Sequence, residues 1–294
     1  MIIVPAIYPE IFEEIVDKLY ILSDITKFAQ IVFCDGSYGL RVSWSPKGKE
    51  ILPESFTYEC DLILTDWRSY LPKMYKLGIK RVIVHIDEFT EQDYADLFQT
   101  VHAYDMILGV TVSNEISIDV LVNALRKIES SEHFGDVSRI FVQVSGMRVL
   151  AGNEHAFDER AVARVRILKK LFPTLVVQVS GRINPETVWK IKDAGADRMV
   201  VSSYLFGSED IEEALRLLQE AMEQERLESL HKEEEKKALP KAISPSEIIT
   251  GEFMEPEERV LRKETKAQRI QREAYEASKE EIIYEFDEND LLKP

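Results

Sequence analysis

Eight short runs rich in Val and Ile recur through the first 223 residues: IIVPAI (2–7), AQIVFC (29–34), CDLILT (60–65), KRVIVHI (80–86), MILGVTV (106–112), SRIFVQV (138–144), TLVVQVS (174–180) and DRMVVSS (197–203). Each is hydrophobic almost throughout rather than alternately, the pattern of a parallel strand covered on both faces. Parallel neighbours need a crossover, and segments such as PEIFEEIVDKLYIL, IDVLVNALRKIES and DERAVARVRILKKLF supply it, with apolar residues three and four apart. Eight strand–helix units over residues 1–223 fit an α/β fold of the closed (β/α)8, or TIM-barrel, type; an open doubly wound sheet is the alternative.

Beyond residue 223 the chain changes character. Residues 224–294 are rich in Glu and Lys, are broken by Pro240, Pro245 and Pro256, and lack an apolar stripe. They read as a charged helical and disordered extension: a helical continuation to about residue 238, a linker, and a charged helix near 256–281. An acidic tip follows, carrying Ile282, Ile283, Tyr284 and Phe286. A solvated tail and a protein-docking element within 256–294 are both compatible with this composition.

Charge excludes more than it selects. A net charge of −16 opposes the phosphate attraction behind nucleic-acid affinity and disfavours anionic membranes, so neither partner is expected. No run of about eighteen apolar residues occurs and the N-terminus lacks signal-peptide features, which makes a cytoplasmic protein the expectation. The two cysteines, Cys34 and Cys60, sit in apolar strand runs and read as buried thiols rather than a disulfide framework. A homo-oligomer is compatible with the sequence.

The clearest local punctuation lies in SGRINPETVWKIKDAGADRMVV. Asn184 is placed to cap a helix, Pro185 takes its first position, and Gly195 ends it before the next strand. Residues 180–183 are therefore a loop that follows a strand, on the barrel face where active sites are built.

These residues carry a resemblance. The run QVSGRINPETVWKIKDAGADRMVVSSYLFGSEDIEEALRLL resembles the last two βα units of ribulose-phosphate 3-epimerases. VPAIYP, QIVFCDGSYG, RVIVHID and AFDERAVARVRILKKLFP resemble that family's first strand, its second-strand segment, its His-x-Glu strand and its sixth helix, so the likeness spans residues 1–223. The resemblance implies a barrel that moves a proton on a carbon next to a carbonyl, with two carboxylates on opposite faces of the substrate and a divalent metal. Carried over one position at a time, the metal-binding His and Asp of the second strand fall on Gln30 and Val32. The third-strand His falls on Ile63, the seventh-strand acid on Ser180 and the first-strand Ser on Ala6. A decarboxylase branch of such barrels, with an Asp-x-Lys-x-x-Asp strand end, finds no matching lysine in FCDGSY or CDLILTDW.

Two sets of site residues follow. The phosphate-binding set is Gly181, Arg182, Ser202 and Ser203: Gly181 keeps the close backbone approach, Arg182 replaces the family's second glycine, and the two serines stand for its Gly-Ser. SGMRVLAGNEHAF stands where another Gly-rich loop would be. The second set is the acid–base candidates Asp35, His85 and Asp87, among other charges expected on the same face, Asp66, Glu115 and Arg148. No metal and no cofactor are expected. The sequence points to a sugar-phosphate-binding or regulatory pseudoenzyme, with a phosphorylated small molecule as ligand. The alternatives are an isomerase or epimerase with rearranged acids and an interaction scaffold acting through the tail.

Overall fold

The computed structural model describes residues 1–130, 139–148 and 156–223. The chain divides into two units, Met1–Ala238 and Leu239–Pro294, and every described residue belongs to the first. The expected linker, charged helix and docking tip of the extension lie outside the described residues.

Eight strands close into a parallel barrel in sequence order: β1 (Ile2–Ile7), β2 (Phe28–Cys34), β3 (Thr57–Ile63), β4 (Arg81–His85), β5 (Ile107–Thr111), β6 (Ile140–Ser145), β7 (Val176–Ser180) and β8 (Arg198–Val201). β8 returns to β1 through the pairs Ile2 with Arg198 and Val4 with Val200, so no edge is left open. The open-sheet alternative is thereby excluded. The crossovers are α1 (Phe12–Leu22), α2 (Trp67–Lys76), α3 (Glu91–Ala103), α4 (Ile118–Ser130), α5 (Arg160–Leu171) and α6 (Pro185–Asp193). A short α7 (Ser203–Phe206) follows β8, and residues 211–223 are helical. Between β2 and β3 there is no helix: residues 35–56 cross the barrel mouth as an irregular loop.

The strands use their two faces differently. Outward residues such as Ile31, Phe33, Leu62, Val82, Val84, Leu108, Val142 and Val177 are fully or almost fully buried against the helices and form the main apolar core. The inward set includes a small separate hydrocarbon cluster, Val4, Ala6 and Val200 with Phe28, and further apolar residues such as Val32, Ile63, Ile83 and Phe141. Much of the remaining interior is polar. Runs that read as continuously hydrophobic are thus apolar outside and largely polar within. β3 begins at Thr57 rather than at the expected residue 60, and so takes in Glu59, a charge inside the barrel that the hydrophobic pattern does not announce. Gly109 has a packing reason, since a Cβ there would stand 2.5 Å from the Phe141 ring and 2.8 Å from Ile83.

Local signals set the helix ends. Asn184 Oδ1 accepts from the Glu186 and Thr187 amides at 2.9 and 3.1 Å, and Gly195 adopts φ 96° beyond the helix end. α3 opens with a reciprocal cap between Thr90 and Asp93. Hydrogen bonds from Thr90 and then Arg68 hold the Asp93 carboxyl down to about 2. A group depressed in this way stabilises the fold above its unfolded value and ceases to do so as the pH falls through about 2. Thr90→Ala is expected to cost about 1 kcal/mol in urea unfolding at pH 7. That deficit should shrink toward pH 2; an undiminished deficit in acid would show that the cap acts independently of the carboxylate.

Candidate functional site

The inward side chains of β2, β3, β6 and β7 build a hydrogen-bonded layer across the barrel. Glu59 Oε1 accepts from Gln30 Nε2 and from Gln178 Nε2, each at 2.9 Å. The same two amide nitrogens donate to Gln143 Oε1, at 3.0 and 2.9 Å. Gln143 Nε2 in turn donates to Asp61 Oδ2 at 2.7 Å, and Asp61 Oδ1 meets His85 Nε2 at 3.0 Å. All six residues are buried. At the lower end Glu59 Oε2 faces Arg81 Nε at 3.5 Å and Arg198 Nη1 at 3.8 Å, with both guanidinium groups close to the rings of Phe28 and Phe141. A charged residue can sit here because its oxygens are fully occupied and two cations oppose it.

Above this layer lies a cavity of about 470 Å³ at the C-terminal mouth of the strands. Its floor includes Gln30, Asp61 and Gln143, and one wall is His85 with Thr111 and Val112. The opposite wall is Ser180, Gly181 and Arg182 from the loop after β7, with Ser202 and Ser203 after β8. The four expected phosphate-binding residues thus line one space, and His85 lines it too.

The wall after β7 is built by close backbone approach. Gly146 N donates to Ser180 O at 2.6 Å, and a Cβ on Gly146 would stand 2.1 Å from Gly181 O. Gly181 has φ 99°, the left-handed region that glycine enters freely. Arg182 has φ 57°, a conformation costly for a residue with a Cβ. The strain lies at the pocket wall, where such outliers concentrate. Residues 149–155, between β6 and α5, lie outside the described residues.

The other acid–base candidates are placed differently. Asp35 is exposed and accepts from Ser37 N at 2.9 Å and Ser37 Oγ at 2.5 Å, as a turn residue would. Asp87 Oδ1 accepts from Ser113 N at 2.8 Å and so fixes the loop after β5. Neither lines the cavity. Asp66 caps α2 through Ser69 N, and Glu115 lies 3.7 Å from Arg148 on the exposed rim. Asp61, absent from the candidates, is the carboxylate that does reach the cavity. Strand parity could have found it, because it stands two residues before Ile63 and therefore on the same face.

The loop 35–56 closes the remaining side. Trp44 packs on Phe12 and Phe33, Leu40 lines the cavity, and the Tyr38 ring sits 5.5 Å from the His85 ring. Burial first, then the surrounding acids led by Asp87, raises the Tyr38 phenol to about 12, so it stays neutral at physiological pH. Tyr8, also at the cavity, donates to Arg41 O and anchors the loop from below.

A divalent metal does not fit the positions where the resemblance puts its ligands. Ala6, Gln30, Val32, Ile63 and Ser180 all line the cavity, and they offer a methyl, an amide already bonded to Glu59 and Gln143, two hydrocarbons and a hydroxyl. First-row divalent ions are held in proteins mainly by imidazole, carboxylate or thiolate donors, none of which these five positions supply. Among the described residues no group of three or more His, Cys, Asp or Glu side chains converges to hold one. Among them, too, no helix is long and apolar enough to cross a membrane.

Comparison with known proteins agrees with the architecture. Residues 47–206 match the Ribulose-phosphate 3 epimerase family. The ribulose-phosphate 3-epimerase of Aquifex aeolicus is 26% identical over 203 residues, covering 66% of this chain and 85% of that protein. That of Methanocaldococcus jannaschii is 30% identical over 175 residues, covering 55% and 69%. Among solved structures, 3-hexulose-6-phosphate synthase from Salmonella typhimurium superposes with a TM-score of 0.53 at 14% identity, covering 76% of this chain and 99% of that one. Orotidine 5'-monophosphate decarboxylase from Sulfolobus solfataricus gives 0.51 at 12%, covering 76% and 97%. These last two share the fold.

Two substitutions test the site's construction. Gln143→Leu removes the amide donor to Asp61 Oδ2 and leaves one N–H of each of the Gln30 and Gln178 amides unpaired, and should lower unfolding stability by about 3 kcal/mol. Arg182→Gly should instead raise stability, by up to about 1 kcal/mol, by removing the left-handed strain. A lower melting temperature for Arg182→Gly would mean that the guanidinium contributes more than its backbone costs.

Proposed function

The chain belongs to the ribulose-phosphate 3-epimerase family, and from that premise we propose that its cavity binds a sugar phosphate without carrying out the family's metal-dependent epimerisation. The observation behind this reading is the contrast between the two sides of one cavity. Gly181, Arg182, Ser202 and Ser203 line it with a guanidinium, two hydroxyls and a glycine for close approach, which suits a phosphate. Gln30, Val32, Ile63 and Ser180, at the positions where the resemblance puts metal ligands and an acid, also line it, without a carboxylate or an imidazole among them.

Epimerisation needs an acid on each face of the substrate carbon, one to remove the proton and one to return it from the opposite side. In this cavity the family's seventh-strand acid is Ser180, whose hydroxyl does not serve as a carboxylate base at neutral pH. Asp61 and His85 stand together on neighbouring strands, so they serve one face only. The residues present can seat the anion, orient the sugar and keep the interior polar. A regulatory or storage role for the bound ligand accords with this.

The test is a pair of measurements on the full chain. Titration calorimetry with ribulose 5-phosphate should detect binding that Arg182→Ala weakens by about 1.5–3 kcal/mol, the worth of hydrogen bonds to a charged group. Affinity that is unchanged or tighter in the variant would make Arg182 a plug rather than a ligand. Conversion of ribulose 5-phosphate to its C3 epimer should stay at the protein-free rate with or without added manganese, zinc or iron(II). Metal-stimulated turnover would overturn the non-epimerising reading.

A further inference from the structure

The hydrogen bonds through the barrel have a direction, and that direction fixes the tautomer of the neutral His85 ring. Glu59, opposed by Arg81 and Arg198, is an acceptor, so Gln30 and Gln178 turn their nitrogens toward it. The same nitrogens meet Gln143 Oε1, so the Gln143 nitrogen is the end that reaches Asp61. Asp61 Oδ2 is therefore an acceptor. Its other oxygen then accepts from His85 Nε2–H, so in the neutral ring the lone pair is on Nδ1. His85 Nδ1 is buried and has no hydrogen-bond partner among the described residues, although the side chain lines the cavity. A base held in one tautomer by a buried carboxylate, with its second nitrogen uncommitted, is the arrangement of an oriented general base.

We infer that Asp61 and His85 form a one-base proton-transfer site, which exchanges the hydrogen on a carbon next to the carbonyl of a phosphorylated hydroxyketone without inverting that carbon. The inference rests on the phosphate-binding reading of the opposite wall. In the forward step the C–H bond breaks, its proton passes to His85 Nδ1, and its electron pair forms the carbon–carbon double bond as the carbonyl pair moves onto oxygen. The Ser180 hydroxyl, on the facing wall, is a donor for that oxygen. In the return step the imidazolium gives a proton back to the same face, so configuration is retained and no oxidant or metal is consumed. Solvent exchange at the imidazole between the two steps places a solvent hydrogen on the carbon. His85 is the catalytic residue; Asp61 is a positioning residue that acts through it.

The experiment uses the full chain with ribulose 5-phosphate in deuterium oxide containing a chelator, followed by NMR and mass spectrometry, with binding measured in parallel. Deuterium should enter a carbon beside the carbonyl faster than without protein, and no C3 epimer should accumulate. His85→Gln should lower the exchange rate at least 100-fold, within the usual range for a general base, while retaining ligand binding. Asp61→Asn should also retain binding, slow exchange, and change the nitrogen-15 shifts of the His85 ring away from the Nε2–H pattern. The binding isotherm of each variant separates loss of the base from loss of the fold. Binding by the wild-type chain without exchange above background overturns this inference and leaves the phosphate reading intact. Exchange accompanied by epimer overturns the one-base assignment, and absence of binding overturns both readings together.

Discussion

The buried Glu59 carboxylate organises the interior of this barrel. It sits opposite two guanidinium groups and takes an amide from each side of the lumen, so a single charge orients three glutamines. Those amides could each be turned either way in isolation. With Glu59 Oε1 accepting from both Gln30 and Gln178, only one arrangement leaves every bond a donor–acceptor pair, and that arrangement extends to Asp61 and His85 at the mouth. Breaking a buried pair leaves an uncompensated charge, which is far more costly than the pair itself is favourable. The polar core therefore specifies one structure more than it adds stability, and the outward Val, Ile and Leu side chains provide the hydrophobic stabilisation.

The architecture was legible in the sequence because strand spacing, crossover helices and the Asn184-Pro185 to Gly195 helix all rest on local chemistry. The start of β3 was not, because a charged Glu59 in a strand gains its partners only from β2, β4, β7 and β8. The helix-free connection 35–56 likewise depends on Trp44 and Tyr38 finding aromatic partners distant in sequence.

The site was legible on one side. Gly181, Arg182, Ser202 and Ser203 come together because two consecutive βα loops adjoin in any barrel of this kind. Of the acid–base candidates, His85 reaches the cavity, whereas Asp35 and Asp87 are turned to local amides. A charge at a strand end says little about its direction; strand parity says more, and it singles out Asp61. Tertiary pairing decides the rest, since the His85 ring is held by a carboxylate, Asp61, that comes from another strand.

Gln30 has an evolutionary consequence. It stands on the lumen at a position the family gives to a metal ligand, so backbone geometry alone would permit a single change to histidine. Its amide nitrogen, however, bridges Glu59 and Gln143. A histidine ligand there would strip a donor from the buried Glu59 carboxylate before any metal arrived to compensate, and the intermediate would pay in folding stability. The present interior thus constrains position 30: a histidine there is tolerated only once Glu59 has another donor or has been replaced, so the order of substitutions matters as much as their identity.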